Sequence, residues 1–454
     1  MSTLVIAPAR RGRFVQRWTG EPGTVGTVAV VGLGKIGLPL AAQYAAAGWH
    51  VIGVDVLRAV VEGINAGRSH VEEEPGLAEQ IAEAHAAGLL EATDRHADAA
   101  RRADVVVMIV PLMLTADRQP DYGWEDAATV AVGAGLRPGT LVTYETTLPV
   151  GDTRNRYGPM LERASSLRMG DPADGFLLAF SPERVFSGRI FRDLATYPKL
   201  VGGVNDASAD RAVAFYESVL PAEVWRLGNS EAAEFAKLAE TTYRDVNIAL
   251  ANEFARYAER SGVDVLEAIR GANSQPYSHI HQPGIGVGGH CIPVYPHFLF
   301  SRAPDLELIG ASRRINDAQV GRAIAAVEEQ LGGLAGVPVL VLGLTYRDGV
   351  HELAYSRALP LIAGLHARGA DVWAYDPLLS TAEIERCGAR PYAWGETSPA
   401  RAIVTQTGDA KWEQLDWTTF PDLQVLYDGR NSLRSMARER RFTYVGVGMG
   451  EAEA

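Results

Sequence analysis

The apolar positions of this chain fall into short unbroken runs separated by glycine-rich turns. Val28 to Val31 is one such run, and Val51 to Val54, ending at Asp55, is the next. Four or more apolar residues without polar alternation predict strands buried on both faces, as in a parallel sheet. Between the two runs, Gly32, Gly34 and Gly37 open a segment that predicts a helix to about Ala47. The alternation continues: "ADVVVMIVP", "GTLVTYETTLPVG" and "GFLLAFSPERVFSG" predict core strands whose C-terminal ends face a ligand. The texture changes near Asn229. Phe235, Ala239, Val246, Leu250, Phe254 and Tyr257 recur at helical spacing until Gly262. A helix over 231–260 is about 45 Å long, enough to join domains or pair with a second subunit. Strand and helix patterns then return in "GVPVLVLGLTYRDG", "RALPLIAGLHARGA" and "DVWAYDP". The predicted fold is α/β, with two Rossmann-like domains joined by a long central helix.

The first turn carries specific chemistry. Gly32-Leu33-Gly34-Lys35-Ile36-Gly37 is G-x-G-x-x-G with a strand before it and a helix after it, and Asp55 lies 18 residues beyond the last glycine. The glycines let backbone approach a pyrophosphate at the helix N-terminus, where unpaired N–H groups and the dipole favour anions. Asp55 would accept from a ribose 2′-hydroxyl and repel a 2′-phosphate, so the predicted cofactor is NAD.

Composition narrows the classes. A net charge of -12 disfavours a general nucleic-acid binder, which would need a basic face. No apolar run reaches the roughly 18 residues of a membrane span. The N-terminal "MSTLVIAPARRGRFVQRW" has four arginines and too short an apolar stretch for a secretory signal, so residues 1–25 are expected to be a flexible extension. The two cysteines, Cys291 and Cys387, are too sparse for a disulfide framework or a zinc site. A reduced, cytoplasmic protein with no metal is expected. Cys387, in "IERCGAR", reads as an inert small hydrophobe. Cys291 lies on a far more constrained loop, "PGIGVGGHCIPVYPHFL".

Taken in order, "GLGKIGLPLA", "ETTLPVG", "SPERVFSG", "PKLVGG", "KLAETTYRDVNIALANE", "GIGVGGHCIPV", "VLGLTYR", "YDP" and "DGRN" resemble the nucleotide-sugar 6-dehydrogenases of the UDP-glucose/GDP-mannose dehydrogenase family, from about residue 27 to 447. The resemblance implies an NAD-binding domain (26–225), a central helical domain with a dimerisation helix and the cysteine loop (226–327), and a C-terminal nucleotide-sugar domain (328–454). It implies oxidation of a sugar C6 alcohol to a carboxylate by two NAD+, in a homodimer or higher homo-oligomer. Cys291 would form a thiohemiacetal and then a thioester. Lys237 would stabilise the oxyanion, with Thr241 one turn further along the helix, and Glu183 would move a proton or activate water. Arg184 and Val185 would line the sugar through their backbone. Gly288 would let the loop approach it closely, Thr147 would contact the nicotinamide side, and Arg347 and Arg430 would hold the diphosphate.

Departures from the family pattern cluster around the hydrolytic step. Thr241 replaces the usual asparagine, Tyr295 the usual aspartate four residues after the cysteine, and Leu112 a threonine. Arg347 replaces the usual lysine, and "ELAYSR" puts Glu352 and Ala354 at the acid and arginine positions of "DxRxSP". The hexose stays open between UDP- or dTDP-glucose and a UDP-N-acetylhexosamine. Two other readings remain at this level: a two-electron dehydrogenase that stops at the aldehyde, and a non-catalytic nucleotide-sugar-binding protein.

Overall fold

The computed structural model describes residues 18–437 and 441–449. Residues 1–17 of the expected extension lie outside the described residues. Within the rest of it, Trp18 is buried edge-on against Trp49, with ring centroids 4.9 Å apart. The chain forms two compact units, the first ending at Lys237 and the second beginning at Leu238.

The first unit is built on an eight-stranded sheet of β1 (Thr27–Val31), β2 (His50–Val54), β3 (Leu90–Thr93), β4 (Val105–Met108), β5 (Leu141–Tyr144), β6 (Leu177–Phe180), β7 (Lys199–Gly203) and β8 (Val224–Arg226). Their spatial order is β8-β7-β6-β5-β4-β1-β2-β3. The unbroken valine runs of β1 and β4 are fully buried, as strands covered on both faces require. Register sets Val54, Val31, Met108, Tyr144 and Phe180 in one row across the sheet. The chain therefore leaves five neighbouring strands at one edge. β7 departs from this pattern by running antiparallel to β6, with Ala179 opposite Gly203. An antiparallel strand starts where its neighbours end, so Lys199 arrives at the edge that the parallel strands leave.

The second unit repeats the logic with β9 (Pro338–Leu342), β10 (Asp371–Tyr375), β11 (Arg390–Pro391), β12 (Ala402–Thr405), β13 (Val425–Asp428) and β14 (Thr443–Gly446). All pairs are parallel in the order β11-β10-β9-β12-β13-β14. The chain goes to one side after β9 and to the other for β12. This makes a topological switch point between those strands, where open α/β sheets take ligands.

One helix, Ser230–Ser261, runs through the end of the first unit and into the second. Phe235, Tyr243, Leu250, Phe254 and Tyr257 on it are exposed. At about 100° per residue they fall within an arc of about 100°. The periodicity that predicted this helix thus marks a surface stripe rather than a core face. Among the described residues no helix is long and apolar enough to cross a membrane.

Candidate active site

In the first unit the glycine turn follows β1 directly. Gly37 must be glycine, because a Cβ there would sit 1.8 Å from the Gly32 carbonyl oxygen. That contact lets the helix Gly37–Ala46 start directly on the strand end. A Cβ on Gly34 would meet nothing within 4 Å, so this is the open position where bare backbone can receive a pyrophosphate. Asp55 accepts from the Leu33 N–H through Oδ2 (3.0 Å) and from the Leu57 N–H through Oδ1 (2.9 Å). Its carboxylate is thereby held beside the turn, with further lone pairs for a ribose diol. Lys35 pairs with Glu73 at 2.9 Å, and Ile36 packs on the core. The residues present fit NAD.

Thr147 is buried in the loop after β5, and its neighbour Thr146 donates to the Val110 carbonyl at 2.7 Å. Leu112, on the loop after β4, is also buried. Glu183 lies three residues beyond β6. Its Oε1 accepts from the N–H groups of Arg184 (2.7 Å) and Val185 (3.1 Å), and its Oε2 from the Lys199 ammonium (2.8 Å). The N–H groups of Arg184 and Val185 thus orient the carboxylate, and any contact of this backbone with a sugar falls to other atoms. The Arg184 guanidinium donates to the Pro198 carbonyl.

Two residues that the sequence did not single out complete this cluster. Lys199 also donates to Glu145 Oε2 at 2.7 Å, and Glu145 Oε1 accepts from the hydroxyls of Tyr216 (2.8 Å) and Tyr44 (3.1 Å). Burial, opposed by Lys199 and reinforced by Glu183, pushes the Glu145 carboxyl up to about 7. Burial also works against charge on Glu183, but Lys199 and the Arg184 N–H outweigh it and hold that carboxyl below its usual range. Burial opposes the Lys199 charge too, and the two carboxylates more than compensate.

Lys237 is buried on the long helix, where Glu234, one turn earlier, accepts from the N–H groups of Gly151 and Thr153. Thr241 is fully buried and donates to the Leu238 carbonyl of its own helix at 3.1 Å.

In the second unit, Cys291 ends a loop that packs on the edge of the second sheet. Gly289 has φ +89°, and a Cβ there would meet the Tyr346 ring at 2.8 Å. A Cβ on Gly288 would meet the Tyr355 carbonyl at 3.0 Å. The Cys291 thiol donates to the Tyr295 hydroxyl at 3.7 Å, within the range for sulfur, and Tyr295 opens the helix Tyr295–Phe300. His290 faces Glu352 at 3.4 Å. Arg347 follows β9 and Arg430 follows β13, both off the C-terminal edge. Asp376, off β10, binds the N–H groups of Leu344 (2.7 Å) and Thr345 (3.0 Å), shaping the turn that carries Arg347. Arg430 is tied through its backbone N–H to Asp428 (3.2 Å) and through Nε to the Gln406 carbonyl (3.0 Å). Its remaining guanidinium N–H groups suit a bidentate anion. Gly284 brings the cysteine loop beside this arginine, since a Cβ there would lie 3.1 Å from the Arg430 guanidinium.

The fold and these clusters define a dinucleotide-linked oxidoreductase with a second, anion-binding α/β unit. The chain belongs to the UDP-glucose/GDP-mannose dehydrogenase family: its NAD binding domain matches residues 26–220, its central domain 231–318 and its UDP binding domain 340–435. It is an NAD-dependent nucleotide-sugar dehydrogenase. A UDP-N-acetyl-D-mannosamine dehydrogenase of Pyrococcus horikoshii is 35% identical over 93% of this chain and 99% of its own. A solved UDP-D-ManNAc dehydrogenase from the same organism superposes with a TM-score of 0.84, at 34% identity over 94% of this chain and 100% of that one. A solved UDP-glucose dehydrogenase from Pyrobaculum islandicum gives 0.84 at 26% identity, covering 95% and 100%.

NAD specificity should follow from Asp55. By isothermal titration, NADP+ should bind at least about tenfold more weakly than NAD+ (~1.4 kcal/mol), and equal affinities would remove Asp55 from that role.

Proposed function

We propose that this chain oxidises the C6 alcohol of a UDP-linked 2-acetamidohexose to the carboxylate, with Cys291 as the covalent nucleophile. The observation that carries the sugar class is the match over nearly the full length of both chains to a UDP-N-acetyl-D-mannosamine dehydrogenase. The similarity to a UDP-glucose dehydrogenase keeps UDP-glucose as the second candidate. NAD+, which the Gly32–Gly37 turn and Asp55 would hold, would supply the hydride acceptor in each of two rounds, so that alcohol, two NAD+ and one water give carboxylate, two NADH and three protons.

The chain's own residues supply the rest. An aldehyde gives up hydride readily only as a tetrahedral adduct, and the Cys291 sulfur makes that adduct by bonding to the aldehyde carbon. Loss of hydride leaves a thioester, whose C–S bond breaks when water adds. Lys237 offsets charge on the adduct oxygen, and Thr241 lies one turn further along. Glu183 takes the water proton. Arg347 and Arg430 hold the diphosphate through charge-assisted hydrogen bonds.

The polar groups that the family pattern puts around the water are reduced here. Leu112 can neither donate nor accept, and Thr241 offers one hydroxyl, which bonds its own helix. Losing one oxyanion donor costs on the order of 3 kcal/mol, roughly a hundredfold in rate. Thioester hydrolysis is therefore the slow step. The exposed apolar stripe of the helix Ser230–Ser261 supports a further reading, that two copies pair along it.

A panel of UDP-N-acetyl-D-mannosamine, UDP-N-acetylglucosamine, UDP-glucose and dTDP-glucose should give two NADH per sugar with the first. One NADH per sugar would indicate an aldehyde product, and none across the panel would defeat the dehydrogenase assignment for these sugars. Intact-mass analysis during turnover should show acylated Cys291 after an NADH burst. Cys291→Ser should abolish uronate, whereas undiminished uronate from that variant would exclude the thioester route. Light scattering at micromolar concentration should give at least a dimer, shifted toward monomer by Leu250→Glu with Phe254→Glu, and a wild-type monomer would overturn the pairing.

A further inference from the structure

The buried cluster under Glu183 contains more charge than orienting one carboxylate requires. Lys199 is 5% exposed, Glu145 is fully buried and Glu183 is 10% exposed at the side chain, and one ammonium is bonded to both carboxylates. Each of the elements packed around them contributes a known group. The helix Gly37–Ala46 gives Tyr44, β5 leads to Glu145, β6 leads to Glu183, β7 begins with Lys199, and the helix Asp206–Val219 gives Tyr216. The Lys199 ammonium also lies 4.9 Å from the centre of the Tyr216 ring. Arg184, beside Glu183, directs its guanidinium to the Pro198 carbonyl.

One ammonium neutralises one carboxylate. A second charged carboxylate at this depth would leave an uncompensated buried charge, which costs several kcal/mol, so the pair holds a proton. The surroundings decide which member holds it. Glu183 Oε1 is met by two backbone N–H groups, which cannot rotate away and favour only the anion. Glu145 Oε1 is met by two phenol hydroxyls. A hydroxyl can turn to accept a proton instead of donating one, and Tyr216 has Thr143 Oγ1 at 3.1 Å as an alternative partner.

We propose that Glu145 and Lys199 are positioning residues for Glu183: the trio holds one ammonium and one proton, the proton stays on Glu145, and Glu183 is kept as a charged carboxylate with a fixed aim. The inference deepens the reading of Glu183 as base for thioester hydrolysis and rests on it for its consequence, though not for its electrostatics. A base that must take a proton from water near neutral pH has to be ionised beforehand and correctly aimed. Lys199 supplies the ionisation, and the Arg184 and Val185 N–H groups supply the aim.

The electrostatic half can be read without substrate. Infrared difference spectra of the unliganded protein at pH 6, wild type against Glu145→Gln, should show loss of a protonated carboxyl C=O band in the variant. No such band, or its loss in Glu183→Gln instead, would overturn the assignment of the proton. The catalytic half is read by single-turnover hydrolysis of acyl-Cys291 formed from UDP-N-acetyl-D-mannosamine. Lys199→Met should move the acid limb of the hydrolysis rate up by at least about one pH unit and slow it about tenfold at pH 7. Affinity for NAD+ should be retained, and Lys199→Arg should restore the limb. Lys199→Gln, which keeps a donor for one carboxylate, serves the same purpose if the methionine variant does not fold. An unmoved limb in the neutral variants overturns the role of Lys199. Wild-type hydrolysis by Glu183→Gln would instead defeat the base reading, whatever the Lys199 variants do.

Discussion

Parallel strands end together, and the rest of this molecule depends on that constraint. In the first unit the row Val54, Val31, Met108, Tyr144 and Phe180 fixes where five segments emerge. Gly32, Asp55, Glu145 and Ser181 all follow that row by one residue. Both faces of such a sheet are covered, so the strands must be apolar and can carry no chemistry themselves. Chemistry begins at the first residue past the row. The antiparallel β7 is the exception that matters, because only a reversed strand brings its first residue, Lys199, to that edge. Had β7 run parallel, Lys199 would lie at the opposite edge of the sheet and Glu183 would lose the ammonium it shares with Glu145.

Buried charge recurs under the loop that carries Cys291. Asp245 is fully buried and binds Arg313, and it accepts from Asn316 Nδ2 at 2.8 Å. Asn316 Oδ1 accepts from Asn252 (2.9 Å), and Asn252 Oδ1 accepts the Gly284 N–H (2.9 Å). A chain of amides therefore runs from a buried ion pair to the start of the cysteine loop. Ion pairs at this depth add little net stability against an apolar replacement of the same shape. Their effect here is geometric, since each link accepts only one arrangement of its neighbours. The loop that precedes Cys291 is fixed by hydrogen bonds on one side and by the Tyr346 ring on the other.

Much of this was legible in the sequence because it depends on local pattern. Unbroken valine runs, the three glycines at Gly32, Gly34 and Gly37, and Asp55 at the end of the next run are signals within some thirty residues. The long helix was equally legible, because its period is local. Its apolar stripe did not reveal whether it faces a core or solvent, since both read as the same spacing, and Tyr243 joins that stripe unannounced. Glu145 and Lys199 were not legible. They lie 54 positions apart, and each alone looks like an ordinary charge at a strand end. Only the reversal of β7 brings them together, and strand direction leaves no mark on a five-residue apolar run. Trp18 was hidden for a different reason: it closes an arginine-rich segment whose composition suggests an exposed extension, and its burial depends on Trp49 and Phe215 far along the chain.

Tyr295 shows how a departure from a family pattern can redistribute work rather than remove it. A carboxylate beside Cys291 can only accept a proton, and once the thiol ionises it repels the sulfur. A phenol hydroxyl both accepts and donates. It receives the thiol proton's hydrogen bond in the resting arrangement (3.7 Å) and can turn to donate to a thiolate. Tyrosine at this position therefore gives the sulfur a neutral partner that works in both directions, where a carboxylate would work in one. On the proposed thioester route, proton removal falls to a carboxylate elsewhere in the chain, and that carboxylate has to be charged before the water arrives. Glu183, with its two backbone donors and its share of the Lys199 ammonium, has the surroundings that such a base requires.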